Sequence, residues 1–159
     1  MQESEDAARV RFFPPGIPLL AILAGSLADR FVRFDVAFIP DAPLRFFIGA
    51  TIFLAALLGL GVWSIVLFRA HGQDANPWKT TPAIEQRGPY QITRNPMYLM
   101  MLLICVSAGV AFDNGWILLL VPVAGWSLLR LVIQPEETYL EAKFGEEYRE
   151  YKRRVRRWI

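Results

Sequence analysis

Apolar residues in this chain are gathered into long blocks rather than into short periods. The block 44–68 contains a single charged residue, Arg45, and the block 97–129 contains only Asp113. Apolar runs of this length are typical of helices that cross a membrane. With 159 residues, the pattern predicts an all-α polytopic membrane protein with a single membrane-embedded domain, 1–159.

We predict four transmembrane helices, separated by polar or proline-containing segments. Their approximate spans are 16–30, 44–68, 96–112 and 116–133. The short sequence 113–115, Asp-Asn-Gly, predicts a tight turn, so that the third and fourth spans form an antiparallel hairpin. Pro135 is expected to interrupt the pattern after the fourth span.

The last segment, 136–158, combines many charged residues with apolar residues at steps of three or four. Those apolar residues are Leu140, Phe144, Tyr148, Tyr151, Val155 and Trp158. The spacing predicts one amphipathic C-terminal helix on the cytoplasmic side.

Lys and Arg residues are distributed unevenly between the two sides of this topology. The N-terminal segment, the loop 69–95 and the C-terminal segment carry thirteen, whereas the other side carries three at or near span ends. The positive-inside rule then places both termini and the long loop in the cytoplasm; in a bacterium, the membrane would be the inner one. The net charge of +2 gives no indication of a nucleic-acid partner. The basic segment 152–157 is expected to contact anionic membrane lipids.

The chain has one cysteine, Cys105, and one histidine, His71. These numbers exclude an intrachain disulfide, a multi-cysteine metal site and a cluster of histidine ligands, so we predict no metal site. Cys105 lies in an apolar run and is expected to be a buried, unreactive thiol.

The predicted hairpin brings the start of the third span close to the end of the fourth. The polar residues at these two ends are Arg94, Asn95, Tyr98, Gln134, Glu136 and Glu137. Arginine and carboxylate groups together suit a zwitterionic amino acid, and tyrosine faces suit a sulfonium. S-adenosylmethionine combines these features with an adenine ring. Neighbouring residues on a helix point in directions about 100° apart. At most one of the two glutamates is therefore expected to face the pocket between these two helix ends.

Two motifs bracket the hairpin, GPYQITRNPMYL at 88–99 and EETYLEAKFGEEYREYKRRVRRW at 136–158. With these motifs the chain resembles the isoprenylcysteine carboxyl methyltransferase family and its relatives, the phospholipid N-methyltransferases. The resemblance covers roughly 45–159. Two positions depart from the family pattern: Asn95, where members often have histidine, and Met100, where they often have glycine.

The resemblance implies a methyltransferase that uses S-adenosylmethionine and acts on a lipophilic acceptor at the cytoplasmic membrane face. It favours the carboxylate of an isoprenylcysteine-like substrate over an amine. The implied cofactor-binding residues are Tyr90, Arg94, Asn95, Pro96, Tyr98, Leu99, Glu136 and Glu137. As catalytic residues we expect Arg94 or Arg130 to orient an acceptor carboxylate. Glu136 or Glu137 is expected to bind the cofactor ammonium, and with an amine acceptor a carboxylate such as Glu137 is expected to take its proton.

Other interpretations stay open at this point. Arg94 and Arg130 are also suited to anchor a span end by extending toward the membrane surface. The same fold can serve as a non-catalytic membrane scaffold. A third possibility is a membrane reductase for sterol-like lipids, because such reductases share a similar C-terminal pattern.

Overall fold

The computed structural model describes residues 8, 10, 12–36, 41–72 and 79–159, and this part of the chain is all-helical. Five helices make it up: Gly16–Phe31 (α1), Ala42–Ala70 (α2), Pro96–Ala111 (α3), Gly115–Phe144 (α4) and Glu146–Arg154 (α5). A 3-10 turn, Gly88–Gln91, precedes α3. The all-α prediction is confirmed for the described residues, and each predicted span coincides with a helix. Residues 73–78 of the predicted loop lie outside the described ranges.

The four longer helices pack side by side in the order α2, α3, α4, α1. Glycine allows close approach at two of these contacts. A Cβ added at Gly49 on α2 would lie 2.8 Å from the carbonyl oxygen of Ser107 on α3. One added at Gly25 on α1 would lie 2.8 Å from the backbone nitrogen of Ile117 on α4. Real side chains do not approach so closely, so these two glycines set the spacing of the helices.

The predicted interruption at Pro135, after the fourth span, is wrong, because α4 continues through this residue. Residues Leu129–Ile133, just before the proline, form a π-helical turn, and the α-helix resumes at Gln134. Proline has no N–H to donate and crowds the preceding turn of a helix. The π turn changes the hydrogen-bonding register there. The helix therefore carries Glu136 and Glu137 as a rigid extension of the span.

The predicted single helix over 136–158 is also wrong. The helix α4 ends at Phe144, Gly145 adopts a φ of 55°, and α5 begins at Glu146. Glycine adopts positive φ without steric cost, so the chain changes direction there. Val155, directly after α5, is extended. The apolar spacing did not reveal the break because it continues across Gly145.

The turn between α3 and α4 lies at the end of the bundle away from Pro96. Asn114 caps α4 by accepting a hydrogen bond from the Ile117 backbone N–H at 3.1 Å. Asp113 has a φ of 55°, accepts a hydrogen bond from the Val36 N–H at 2.7 Å and lies 3.1 Å from an Arg45 nitrogen. The predicted tight turn is confirmed, and it also fastens the segments that lead out of α1 and into α2.

The outer surface of the helices is strongly apolar. Among the described residues, α2 and α4 are long and apolar enough to cross a bilayer, and α3 is a shorter apolar helix. Only 17% and 28% of the most apolar windows of α2 and α4 are buried inside the protein. Large apolar side chains such as Phe31 and Phe47 are 81% and 69% exposed. An apolar surface of this extent marks contact with lipid or another protein. How many helices cross a bilayer stays a prediction.

Candidate active site

A cavity opens where the C-terminal part of α2, the start of α3, the second half of α4 and α5 converge. Its empty space, including the open mouth, is about 770 Å³. Five of the residues predicted to bind a cofactor line it: Tyr90, Asn95, Pro96, Tyr98 and Glu136. The hairpin thus brings the two sequence motifs together in one hollow.

The motif 88–99 folds locally for reasons visible in its sequence. Gly88 begins the 3-10 turn with a φ of 55°, a conformation that glycine adopts without steric cost. A Cβ at Gly88 would lie 2.9 Å from Trp63 of α2, so the glycine also allows the turn to pack closely. Pro96 occupies the first turn of α3, where a missing N–H costs nothing. Tyr98 consequently points from the first turn of α3 into the cavity.

Tyr98 and Glu136 form the central polar contact of the cavity. The Tyr98 hydroxyl donates a hydrogen bond of 2.6 Å to Glu136 Oε1. Tyr98 is only 7% exposed, so the bond forms in a largely dry environment. It joins α3 to α4 and fixes the direction of the carboxylate. Of the two adjacent glutamates, Glu136 is therefore the one that lines the cavity.

Glu137 instead forms a buried charge cluster with Arg94 and Arg157. Arg94 Nη1 lies 3.2 Å from Glu137 Oε1, and these side chains are only 9% and 12% exposed. Arg157 donates two hydrogen bonds, of 2.9 and 2.8 Å, to the two oxygens of the same carboxylate. In the described part of the chain, Arg94 Nε and Nη1 are both buried without a hydrogen-bond partner, so the contact between Arg94 and Glu137 is an ion pair only. Two guanidinium groups thus share one carboxylate, which leaves an excess of positive charge beside the cavity.

The chain after α5 returns to the start of α3 as a short strap, which we define as residues 155–158. The Arg94 backbone N–H donates to the Arg156 carbonyl at 2.9 Å. The Arg157 carbonyl accepts hydrogen bonds from Thr93 Oγ1 at 3.0 Å and from Asn95 Nδ2 at 2.9 Å. Asn95 therefore has a positioning contact as well as a place in the cavity wall.

Two tyrosines of α5 complete the cavity wall, and sequence reasoning placed them only on an amphipathic face. Tyr148 and Tyr151 are 2% and 3% exposed. The Tyr151 hydroxyl donates to the Tyr90 carbonyl at 2.7 Å, which ties α5 to the 3-10 turn. Burial raises the pKa of Tyr148 and Tyr151 well above the ordinary value, so both keep their protons at neutral pH.

Leu99 and Arg130 do not line the cavity. Arg130 lies exposed on α4, with its guanidinium 5.9 Å from the centre of the Trp126 ring and 3.5 Å from Gln134 Oε1. Arg94 and Glu137 lie in the charge cluster and not in the cavity wall. In the sequence they are adjacent to the lining residues Asn95 and Glu136. Among the described residues, no group of three or more His, Cys, Asp or Glu side chains is placed to hold a metal ion.

Comparison with known proteins identifies the family. The family model for phospholipid methyltransferases matches residues 42–147, about two thirds of the chain. The chain belongs to the phospholipid methyltransferase family. A protein of Haemophilus influenzae, described as an uncharacterized protein, is 44% identical over 63 residues, which is 40% of this chain and 100% of that relative. No solved structure matches the chain.

The predicted family is therefore confirmed, and with it the assignment to membrane methyltransferases. The match to the phospholipid methyltransferase family runs from α2 to the first turn of α5. It includes Tyr98, Glu136 and the rest of the hairpin. The buried tyrosines of α5 and the strap 155–158 lie beyond it, so this chain completes its cavity with residues outside the matched region.

Proposed function

We propose that this protein transfers a methyl group from S-adenosylmethionine to a lipophilic acceptor at the cytoplasmic face of a membrane. The observation that carries the proposal is the separation of charge around the cavity. Glu136 presents a carboxylate in its wall, and Arg94, which precedes the lining residue Asn95 in the chain, is buried with an Nε and an Nη1 that have no hydrogen-bond partner among the described residues. The amino acid part of the cofactor has one ammonium and one carboxylate, which fits this pair.

S-adenosylmethionine, when bound, supplies an electrophilic methyl group. The residues of this chain would act by binding and orienting rather than by proton chemistry on the methyl. Tyr98 holds Glu136 through its hydroxyl, and Glu137 holds Arg94 through its carboxylate. Displacement at a methyl carbon needs nucleophile, carbon and leaving sulfur in line, so a fixed frame of this kind supplies much of the rate. Tyr148 lines the same cavity and is itself only 2% exposed.

The membrane part of the proposal is supported by the apolar outer surface and by the family. Four crossings, with α1 and α3 as the shorter ones, would place the cavity at one membrane face. The distribution of Lys and Arg favours the cytoplasmic face. A lipophilic acceptor would then reach the cavity from the bilayer, whereas the cofactor would enter from the cytosol.

The chemical class of the acceptor has two candidates. An isoprenylcysteine-like carboxylate, as the resemblance implies, requires a cation to hold it. Of the two predicted arginines, Arg94 is adjacent in the chain to the lining residue Asn95, and it would then hold the acceptor instead of the carboxylate of the cofactor. An amine is the second candidate. It is favoured by the cavity wall, in which the described residues include Glu85 and Glu136 but neither Lys nor Arg.

Titration calorimetry of the detergent-purified protein with S-adenosylhomocysteine tests the cofactor. We expect a single site, strongly weakened in Arg94→Ala and unchanged in Arg69→Ala, an exposed arginine at the end of α2. Absence of binding to the wild-type protein would favour the scaffold interpretation, and binding of NADPH instead would favour a reductase.

The acceptor is tested by incubating membranes with methyl-labelled S-adenosylmethionine and fractionating the labelled lipids and proteins. Mild alkali releases labelled methanol from a methyl ester but leaves an N-methyl group intact. Label lost in alkali would establish a carboxylate acceptor, and label retained would establish an amine.

A further inference from the structure

Glu85 is a buried carboxylate in the cavity wall that belongs to neither of the two motifs. It lies in the segment before the 3-10 turn, is only 8% exposed, and lines the same cavity as Glu136. A buried carboxylate is costly unless its surroundings compensate the charge. Its position therefore calls for a physical reason beyond packing.

The surroundings of Glu85 hold its carboxylate in a fixed direction. Its Oε1 accepts hydrogen bonds from the backbone N–H groups of Gln86 at 3.1 Å and Arg87 at 3.0 Å. Its Oε2 lies 2.8 Å from Nδ1 of His71, at the end of α2. The other imidazole nitrogen of His71, Nε2, lies 2.7 Å from Arg87 Nη1, which can only donate. These contacts assign the proton of the neutral imidazole to Nδ1, which Glu85 shares with the Leu67 carbonyl oxygen, 2.9 Å from the same nitrogen.

The cavity beside Glu85 is lined by aromatic rings. Tyr90 stacks on Phe68 with ring centres 5.4 Å apart, and Tyr98 and Tyr139 line the same space. The negative faces of aromatic rings attract organic cations, most strongly when water is excluded. The described lining residues contribute two carboxylates and no Lys or Arg. This combination selects a weakly hydrated cation such as a sulfonium or an alkylated ammonium.

We propose that Glu85 is an electrostatic anchor for an onium group bound in this cavity, with His71 as its positioning residue. The inference deepens the proposed function and rests on it, because it assigns a second anionic contact to the same site. The onium group has two possible sources, the sulfonium of the cofactor and the ammonium of an acceptor amine. Glu136 and Arg94 remain available for the amino acid part of the cofactor.

Two pairs of ligands of similar shape, each differing by one positive charge, separate these sources. S-adenosylmethionine and S-adenosylhomocysteine differ by the sulfonium charge, and octylamine and octanol differ by the ammonium charge. We expect Glu85→Gln to weaken the charged member of one pair about tenfold or more, because the attraction between opposite charges is lost, and to leave the uncharged member unchanged. Loss confined to S-adenosylmethionine assigns Glu85 to the sulfonium, and loss confined to octylamine assigns it to the acceptor.

The control variant is Glu147→Gln, which changes an exposed glutamate of α5 and should alter neither pair. His71→Ala should reproduce the charge-selective loss in part. His71→Asn, which can keep a donor near the position of Nδ1, should restore the wild-type binding of the charged ligand. The proposal would be overturned if Glu85→Gln showed the same difference in affinity between the charged and the uncharged member of both pairs as the wild type.

The failure of the proposed function has a different signature. A wild-type protein that binds neither S-adenosylmethionine nor S-adenosylhomocysteine would refute that function, while the octylamine comparison would still test Glu85. Shielding of Cys105 from a thiol dye, expected because this side chain is 0% exposed, verifies that each variant is folded.

Discussion

The Arg94–Glu137–Arg157 cluster makes a quantitative prediction about stability. Glu137→Gln removes the carboxylate that neutralises Arg94 while keeping the size of the side chain. Arg94 is 9% exposed and is left as a buried charge without a counter-charge, whereas Arg157, at 36% exposed, can turn to water. Loss of one partner of a buried ion pair costs about 3–5 kcal/mol. At about 2–4 °C per kcal/mol for a chain of this length, the melting midpoint should fall by about 6–20 °C.

The single cysteine provides the assay. Cys105 is 0% exposed in the middle of α3, so a dye that fluoresces on reaction with thiols reports unfolding in detergent. Glu146→Gln is the matched control, because Glu146 contacts Arg149 and Arg153 at 2.8 Å on the exposed face of α5. Exposed ion pairs contribute little, so this variant should melt with the wild type.

A second variant separates charge burial from other effects. In Arg94→Met/Glu137→Met both charges of the buried pair are replaced by apolar side chains, and much of the lost stability should return. Equal melting midpoints for Glu137→Gln and the wild type would refute the assignment of a buried charge cluster. So would a double variant less stable than Glu137→Gln alone.

Three further predictions concern helix packing, the central hydrogen bond and the strap. Gly25→Ala should lower the melting midpoint by the equivalent of about 1–3 kcal/mol through overpacking, whereas Gly59→Ala, with no atom within 4 Å of an added Cβ, should not. Tyr98→Phe should weaken S-adenosylhomocysteine binding in calorimetry, because Glu136 loses its 2.6 Å donor, and unchanged affinity would contradict the role of Tyr98 in orienting it. Deletion of residues 155–159 should also abolish that binding, while circular dichroism should show the helix content retained.

The sequence predicted the helical hairpin and its polar end because those features depend on residues close together in the chain. Apolar blocks define the helices, and Asp113 defines the turn. The meeting of Tyr98 with the two glutamates then follows from topology alone. Which glutamate enters the cavity depends on the exact rotation of α4, and the π turn at Leu129–Ile133 contributes to that rotation.

Other features depend on contacts that no local pattern records. Glu85 acquires its significance from His71, at the end of a different helix, and from the cavity beyond it. Apart from the Arg157 side chain, which pairs with Glu137, the strap binds through backbone carbonyl groups, which every residue possesses, so most of its sequence carries no distinctive signal. The break at Gly145 had a signal in the glycine itself, but the continuing apolar spacing outweighed it.

The π turn in α4 has a consequence for how the family can vary. Such a turn accommodates one additional amino acid locally, so the helical segments on either side keep their directions. A homologue that lacks one residue within 129–133 can therefore form an uninterrupted α-helix and still present both glutamates as this protein does. Single-residue deletions at this point should be tolerated, whereas deletion of Pro135 with the π turn retained would rotate both glutamates by about 100° and bring Glu137 to the place of Glu136.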